Sequence, residues 1–310
     1  MKVLLFTHKG DIDGMGPVIL AKLSFDSINY VFSEFHELNG KIEAYINDSS
    51  IYEYDYVYVT DLCIHEPLLS KINDDEKLKN KFMIFDHHQT TISEGSDKYP
   101  FVNVVVKDEL GMCSGTSLFY KYLNDNKHII RNSNIDKFVE LVRRQDTWEW
   151  KTIYNDEMAN ELSILFNLLG RDKFIGDMYE KLSSDYWFNF SPVEKALIEN
   201  KKAQIELKMG TYLESLTIRD VLGFKAGILF IESEYRNDIA EYFRTCKVDI
   251  DFVMMVIMEK NSISYRTIKE GIDVSKIAEH FGGGGHANAA SSMIDNDIKE
   301  EIIKLLIKND

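Results

Sequence analysis

Three apolar stretches of this sequence each lead directly into acidic residues and histidines. The stretches cover residues 3–6, 56–59 and 82–85. Buried parallel strands are typically continuous apolar runs, and the ligands of α/β folds gather at the carboxyl ends of such strands. We therefore expect the ionisable side chains that follow these runs to converge on one crevice. They are His8, Asp11, Asp13, Asp61, Asp86, His87 and His88.

Carboxylates at this density favour a metal site, because they repel one another unless a cation lies among them. Oxygen and imidazole ligands suit divalent ions such as Mn²⁺ and Mg²⁺. Asp11 and Asp13 lie two residues apart, so in an extended segment they share a face and could each serve a different cation. By itself, the segment also fits an Asp-Gly turn that contains a histidine. Asp61 could bridge two metals, or it could cap a helix expected to begin near Glu66.

The pair of histidines after the third run is the sharpest of these signals. Two adjacent imidazoles directly after a buried strand cost folding free energy unless they coordinate a metal, relay protons or bind phosphate. One histidine can ligate while its neighbour faces a substrate, and Asp86 can orient a ligating histidine through its second ring nitrogen. Two loop histidines with ordinary hydrogen bonds are the alternative. Asp146 ends an amphipathic helix and, taken alone, also fits a salt-bridged helix end.

A second kind of signal lies near the C-terminus, where four consecutive glycines at residues 282–285 precede His286. Such a run has a large entropic cost in a folded chain, so it indicates backbone that must approach something closely. The N–H groups of the run could form an anion-binding nest to which His286 adds a donor. Arg266 ends a predicted strand and offers a fork-shaped guanidinium for bidentate phosphate contact. A flexible hinge and a lone surface arginine are the alternatives.

The elements that position the first set of residues follow from the hydrophobic pattern. Strand-like runs alternate with helical ones up to residue 125, which predicts a mostly parallel sheet with helices on both faces. Residues 134–215 carry apolar residues at helical spacing and predict a helical subdomain. The expected strands are residues 3–6, 28–32, 56–59, 82–85 and 101–106, and the expected helices are near 15–25 and 66–79 and from about residue 115.

The remaining sequence predicts a second, smaller α/β domain with a mixed sheet. Ser191, Pro192 and Glu194 open a Lys-rich helix that we interpret as a solvated linker. Strands are expected at 216–219, 226–231, 252–258 and 262–267, helices near 237–246 and 274–280, and a helical tail from Ile298 to Ile307. The predicted organisation is a first domain at residues 1–190, a linker helix at 191–215 and a second domain at 216–310.

The composition of the 310-residue chain narrows the range of functions. Its formal charge of −15 argues against tracking along long nucleic acid, because that binding depends on Lys and Arg neutralising many phosphates. Small anionic substrates remain compatible, since bound cations and a few arginines can reverse the local field. The three cysteines form no CxxC pair, which disfavours a disulfide framework and a thiolate zinc site. No run resembles a signal peptide or a membrane span, so a cytoplasmic location is expected.

Taken in order, these segments resemble the DHH phosphoesterase family with its DHH-associated C-terminal domain, and within it the nano-RNase branch. The resemblance spans both predicted domains. It implies a catalytic first domain that binds two divalent metal ions, Mn²⁺ foremost with Mg²⁺ or Co²⁺ as alternatives, and a second domain that holds the substrate. Two details depart from the family pattern: two residues separate His8 from Asp11, a spacing that differs among branches, and Ser291 stands where glycine is frequent.

The resemblance also implies a role for each candidate residue. His88 would lie beside the attacked phosphate, and Asp86 would support the histidines. The metal ligands would be His8, Asp11 and a bridging Asp61 for one ion, and Asp13, Asp61, His87 and Asp146 for the other. The substrate-binding residues would be Arg266, Gly283, Gly284, Gly285 and His286.

The implied reaction is the hydrolysis of short nucleotide substrates, nano-RNA or dinucleotides, to nucleoside monophosphates. The alternatives are a cyclic-dinucleotide phosphodiesterase, a phosphatase for 3'-phosphoadenosine 5'-phosphate, and a nucleotide sensor without turnover; a pyrophosphatase and a processive exonuclease fit less well. Because few basic residues are present to follow a long backbone, substrates of two to about five nucleotides are favoured. Neither long nucleic acid nor a membrane is expected as a partner, and a homodimer is compatible with the sequence.

Overall fold

The computed structural model describes residues 1–294, 298, 300, 301 and 304, apart from the side chain of Asn237. The chain divides into two compact units, the first ending at Ile198 and the second starting at Glu199. The predicted helical tail from Ile298 to Ile307 lies mostly outside the described residues. Among the helices that are described, none has both the length and the apolar composition needed to cross a bilayer.

The first unit is built on a five-stranded sheet in which every neighbouring pair is parallel. Its strands are β1 (Lys2–His8), β2 (Ser27–Ser33), β3 (Tyr56–Thr60), β4 (Phe82–Asp86) and β5 (Val102–Val104), and they lie in the order β2-β1-β3-β4-β5. Successive side chains point to opposite faces of a strand, so each strand contributes to two cores. Leu5 and Tyr58 belong to one core, whereas Leu4 and Val57 belong to the other.

Helices cover both faces of this sheet, as predicted. They are α1 (Ile12–Ser24), α2 (Phe35–Asn47), α3 (Leu68–Asp74), α4 (Glu76–Lys79), α5 (Gln89–Ser93), α6 (Gly115–Asp125), α7 (Ser133–Asp146), α8 (Glu157–Leu169) and α9 (Arg171–Ser183). The segment predicted as a helical subdomain shares one core with the sheet, because Phe138, Leu165 and Phe174 cluster with Leu5. A two-stranded hairpin, β6 (Lys107–Asp108) with β7 (Gly111–Met112), and a π-helical turn, Trp150–Tyr154, lie outside the main sheet.

Some local elements of the first unit differ from the sequence prediction. Helix α2 was not expected; it begins at a capping box formed by Glu34 and Glu37. The helix predicted over residues 66–79 is two helices, because α3 ends at Asp74 and the side chain of Asp75 caps α4. The strand predicted over residues 101–106 is shorter and covers Val102–Val104.

One long helix, α10 (Pro192–Glu214), occupies the segment predicted as a linker. Its start carries the capping box expected from the sequence: Ser191 Oγ accepts from the N–H of Glu194 at 3.3 Å, and Glu194 accepts from the N–H of Ser191 at 2.6 Å. An ion pair of 2.5 Å with Lys181 further holds Glu194. The division between the two units falls inside this helix, so its role as a linker stays a prediction.

The second unit has the predicted mixed sheet, with helices packed on both faces. Its strands are β8 (Thr217–Val221), β9 (Phe224–Phe230), β10 (Phe252–Ile257), β11 (Ser262–Thr267), β12 (Gly284–His286) and β13 (Ala289–Met293), in the order β12-β13-β11-β10-β9-β8. Only β9 and β10 run parallel among the described pairs. Helix α11 (Arg236–Thr245) places Phe243 in a core with Val253, and helix α12 (Val274–His280) places Ile277 in a core with Tyr265.

Candidate metal centre

The ionisable residues that follow the three apolar runs lie at the ends of neighbouring strands. His8 is the last residue of β1, Asp61 follows β3, and Asp86 ends β4. These strands are adjacent and parallel, so their carboxyl ends meet at one edge of the sheet. The structure thus brings together residues that are up to 78 positions apart, as the patterning of the sequence predicts.

A first cluster consists of His8, Asp11 and Asp61. Nδ1 of His8 lies 2.8 Å from Oδ2 of Asp11 and 3.6 Å from Oδ2 of Asp61. Asp11 is also the N-cap of α1, because its Oδ1 accepts from the N–H of Gly14 at 3.0 Å. One oxygen of Asp11 therefore holds the helix start, while the other faces the cluster.

A second cluster gathers around the ring of His87 and contains Asp13 and Asp146. The Nε2 atom of His87 lies 3.2 Å from Oδ1 of Asp61 and 3.5 Å from Oδ2 of Asp146. Oδ2 of Asp13 lies 3.9 Å from the same nitrogen. Asp146 is the last residue of α7. This member of the cluster therefore comes from a helix, whereas Asp61 and His87 directly follow strands.

Asp61 takes part in both clusters through different oxygens. Its Oδ2 faces His8 and its Oδ1 faces His87. The residue is only 5% exposed, and its backbone is left-handed, with φ of 57°. Non-glycine residues adopt this conformation at an energetic cost, although Asp tolerates it better than most. A carboxylate that presents one oxygen to each of two clusters is arranged as a bridge between two cations.

Several acidic groups lie close together in the two clusters, and their pKa values indicate whether cations fit between them. Burial, together with the charges of Asp13 and Asp11, raises the pKa of Asp61 well above its usual range. Burial and the charge of Asp13 likewise raise the pKa of Asp146. Oδ2 of Asp146 is buried and has no hydrogen-bond partner among the described residues. Divalent cations would relieve both features by placing positive charge among these oxygens, and the mixed carboxylate and imidazole donors suit them.

The N-terminus of α6 holds Asp13, a contact that the sequence analysis missed. The Asp13 carboxylate accepts from the N–H groups of Gly115 at 2.7 Å and Thr116 at 2.9 Å. A Cβ atom on Gly115 would lie 2.7 Å from the backbone nitrogen of Asp61, so only glycine permits this approach. The available signal was Ser114, a good N-cap residue, which marks the start of a helix but not the partner of its N–H groups.

Glu34 is a second residue that the sequence analysis missed. Its Oε2 lies 3.5 Å from Nε2 of His8, the ring nitrogen that does not face Asp11. A carboxylate on the second nitrogen of a histidine fixes the tautomer and the orientation of the ring. The arrangement therefore leaves Nδ1 of His8 directed at the first cluster. The only trace in the sequence is the Glu34–Glu37 spacing of the capping box.

His88 and Asp86 form a hydrogen-bonded pair, and together with Asp61 and His87 they make a third group whose ligand atoms lie within 4.8 Å of one another. Oδ1 of Asp86 lies 2.7 Å from Nδ1 of His88 and accepts from the N–H of His87 at 2.9 Å. The hydroxyl of Thr91 donates to the other oxygen of Asp86. Asp86 is buried, whereas the side chain of His88 is 51% exposed. Asp86 thus anchors an imidazole that remains accessible to a ligand.

The substrate-binding residues predicted near the C-terminus belong to the second unit. Arg266 lies in β11 and His286 in the edge strand β12. Both residues pair with Ala289 of β13, Arg266 from one side and His286 from the other. Residues paired directly across antiparallel strands point to the same face, so Arg266 and His286 lie on one face of the sheet.

The glycine run has a packing reason in addition to the predicted anion-binding nest, which stays a prediction. Gly284 and Gly285 lie in a strand, and a Cβ atom on Gly285 would lie 2.5 Å from Cα of Ala290. A Cβ atom on Gly283 would lie 2.1 Å from the carbonyl oxygen of Ser291. Gly283 and Gly285 therefore permit close pairing with β13. A Cβ atom on Gly284 would meet open space, so this position alone among the three leaves room for a ligand.

Comparison with known proteins agrees with this architecture. Residues 237–309 match the DHHA1 domain. The chain shares the fold of the pGpG-specific phosphodiesterase PggH from Vibrio, with a TM-score of 0.58, 15% identity and coverage of 99% of this chain and 98% of that one. It also shares the fold of the exonuclease RecJ bound to manganese, with a TM-score of 0.53, 14% identity and coverage of 97% and 88%.

A similarity in sequence extends the comparison from the fold to the family. Over 298 residues the chain is 31% identical to oligoribonuclease NrnB of Bacillus subtilis, which covers 96% of this chain and 74% of the relative. An identity of this level across both units, together with the DHHA1 match, shows the family as well as the architecture. This chain therefore belongs to the DHH phosphoesterase family.

Proposed function

We propose that this protein is a metal-dependent phosphoesterase that hydrolyses very short oligonucleotides to nucleoside monophosphates. The observation that carries the proposal is the gathering of Asp13, Asp61, His87 and Asp146 around one point at the strand ends. The 31% identity to an oligoribonuclease supports the size class of the substrate. It favours this function over the alternatives of a cyclic-dinucleotide phosphodiesterase, a phosphatase for 3'-phosphoadenosine 5'-phosphate and a sensor.

We propose two divalent cations, Mn²⁺ by preference, as cofactors of the first unit. When bound, such a pair supplies the Lewis acidity that makes water a nucleophile at neutral pH and balances the charge that develops on the phosphate. The ligands would be His8, Asp11 and Asp61 for one ion, and Asp13, Asp61, His87 and Asp146 for the other. The distances from Asp61 to His8 and His87 support its role as the shared ligand.

The task of His88 and Asp86 is to hold the reacting phosphate. Asp86 engages Nδ1 of His88, so the ring is fixed and Nε2 points away from that carboxylate. We propose that Nε2 contacts a phosphate oxygen, and that this contact aligns the phosphorus for attack. Thr91 supports the arrangement by donating to the second oxygen of Asp86.

The proposed division of labour follows the predicted domains. Residues 1–190 would carry the chemistry, residues 191–215 would link, and residues 216–310 would bind the substrate. The exposed edge strand β12 and the shared face of Arg266 and His286 support a role of the second unit in binding. The cytoplasmic location and a homodimer stay predictions from the sequence.

A metal-supplemented activity panel tests the proposal. Metal-free protein is supplied with Mn²⁺, Mg²⁺ or Co²⁺ and offered a dinucleotide, longer oligomers, a cyclic dinucleotide and 3'-phosphoadenosine 5'-phosphate. We expect metal-dependent release of nucleoside monophosphate from the dinucleotide and declining rates on longer oligomers. Activity that grows with length and falls steeply with salt would instead identify a processive exonuclease.

Two matched variants make the panel specific. Asp146→Asn removes one proposed ligand, and it should reduce turnover with every metal. Asp26→Asn changes an exposed carboxylate outside the clusters and should leave turnover unchanged. No turnover of any substrate by the wild-type protein with all three metals would contradict the proposed function.

A further inference from the structure

The sheet of the first unit has one long edge strand without a charged residue. Strand β2 (Ser27–Ser33) has seven residues, and among the described strands it neighbours only β1. Strand β5, at the opposite edge, has three residues. In the second unit the edge strand β12 also has three residues, and the edge strand β8 carries Arg219 and Asp220. Proteins protect sheet edges with short strands or charged residues, so β2 is the described edge of the two large sheets that lacks both protections.

The pairing with β1 determines which backbone groups of β2 point outward. In a parallel ladder, alternate residues of an edge strand direct both their N–H and their C=O to the neighbouring strand. The carbonyl oxygen of Ser33 accepts from the N–H of Lys9, directly after β1, at 3.2 Å. Ser33 and every second residue before it therefore face β1. The backbone groups of Ile28, Tyr30 and Phe32 point away from the sheet, where a further strand could pair with them.

Two copies of β2 fit together as an antiparallel pair through Ile28 and Tyr30. The carbonyl oxygen of Phe32 is already engaged, because Nζ of Lys41 donates to it at 2.8 Å. A register that keeps this contact places Ile28 of one copy opposite Tyr30 of the second copy, where the two residues exchange N–H and C=O bonds. The two-fold axis then passes between the two Asn29 residues. Residues paired without hydrogen bonds in this way have Cα atoms about 4.5 Å apart.

The side chains near this edge suit the same register. Tyr30 is 37% exposed, and a β-branched residue such as Ile28 opposite an aromatic ring is a favourable cross-strand pair. Asp26 of one copy lies opposite Phe32 of the second copy, and the guanidinium of Arg171 lies 5.0 Å from the centre of that ring. Asp26 and Arg171 are both exposed, so the register brings opposite charges near each other. An exposed ion pair adds little affinity, but it favours this orientation over others.

We propose that β2 is the interface of a homodimer, in which two copies of this chain pair β2 with β2 and join their five-stranded sheets into one continuous sheet. The inference gives the homodimer predicted from the sequence a defined interface, and it does not depend on the proposed hydrolysis. Strand pairing by itself buries less surface than a standard protein interface. We therefore expect a reversible dimer with a Kd on the order of 1–100 µM.

Analytical ultracentrifugation of the full-length protein over a range of concentrations tests the proposal. The variants are Asn29→Lys and Asn29→Asp, each of which places like charges directly opposite each other in the proposed register. Asn103→Lys is the matched control, because Asn103 is an exposed asparagine in β5, the edge strand on the other side of the same sheet. Thermal unfolding of each variant checks that the fold is kept.

We expect the wild-type protein and Asn103→Lys to dimerise with the same Kd, and each Asn29 variant to dimerise roughly tenfold to a hundredfold more weakly. An equal mixture of Asn29→Lys and Asn29→Asp should dimerise again, because unlike charges are then opposite each other. A wild-type protein that stays monomeric at about 100 µM would overturn the inference and leave the edge to a different partner. An undiminished dimer of the folded Asn29→Lys variant, or a mixture that stays monomeric, would also overturn it.

Discussion

Replacing Asp61 by Asn should change the stability of the metal-free and metal-loaded protein in opposite directions. The side chains are nearly equal in size, and Asn tolerates the left-handed backbone found at Asp61. The ligand atoms of each cluster lie within 4.8 Å of one another, and two carboxylate charges at that distance repel by about 3.5 kcal/mol at an effective dielectric constant of 20. Removing the shared charge therefore relieves repulsion in both clusters.

The expected gain in the metal-free protein is smaller than this repulsion. Crowded carboxylates already take up protons, as the raised pKa of Asp61 indicates, so part of the repulsion is relieved before substitution. We expect Asp61→Asn to raise the free energy of unfolding of metal-free protein by about 1–2 kcal/mol. For a unit of this size, that corresponds to an increase in Tm of roughly 2–8 °C.

The metal-loaded protein should respond in the other direction. A ligand at 100 times its Kd stabilises the folded state by about 2.7 kcal/mol, or roughly 5–10 °C in Tm for a domain of 150–250 residues. The wild-type protein should show this shift with Mn²⁺. Asp61→Asn should lose most of it, because both proposed ions lose a common ligand.

Thermal unfolding in chelator and in Mn²⁺ measures both effects on the same samples. Asp26→Asn serves as the control, since it removes an exposed carboxylate that belongs to neither cluster. The reasoning is refuted if metal-free Asp61→Asn is no more stable than the wild type, or if Mn²⁺ stabilises the variant as strongly as the wild type. Either result would show that the carboxylates around Asp61 are not arranged for cations.

Other residues of the centre give predictions of their own. Glu34→Gln should weaken Mn²⁺ binding roughly tenfold to a hundredfold in calorimetry, because the His8 ring loses its partner; an unchanged Kd would contradict this. Gly115→Ala should lower the free energy of unfolding by about 1–3 kcal/mol in urea, while Gly40→Ala, where a Cβ meets open space, should not destabilise. Asp86→Asn should lower kcat on a dinucleotide roughly tenfold to a hundredfold, because Nδ1 of His88 loses its carboxylate partner, and an unchanged kcat would contradict this.

The strand ends were predictable because burial dictates both the pattern and the position of the polar residues. A strand covered on both faces must be apolar along its length, so the first ionisable residue after it marks the edge of the sheet. Asp61 and the Asp86-His87-His88 segment were found in this way. The mixed sheet of the second unit followed similarly from its apolar runs and from the expected helices between them.

The contacts that hold the proposed metal ligands in place could not be predicted from the sequence, because they join segments that are distant in sequence. Gly115 donates to Asp13 across 102 positions, and a helix start carries no mark of the anion it will meet. Glu34 lies before a helix that the pattern did not reveal. The glycine run shows a different limit: close strand pairing and an anion nest both require glycine, so composition alone cannot separate them. In the structure, Gly284 and Gly285 lie in a strand that pairs with β13, which accounts for close pairing, while anion binding stays a prediction.

The proposed metal ligands are acidic and the proposed substrate-binding residue Arg266 is basic, and this predicts how affinity and chemistry divide. The cluster around Asp61 is acidic, so a phosphate can approach it only when cations neutralise the carboxylates. The guanidinium of Arg266, a proposed substrate-binding residue, should attract phosphate without any metal. Chelation should therefore abolish turnover while leaving the affinity for a dinucleotide within about threefold, a change well below that expected from losing a charged hydrogen bond. Affinity that disappears with the metal would show that the metal centre, and not Arg266, holds the substrate.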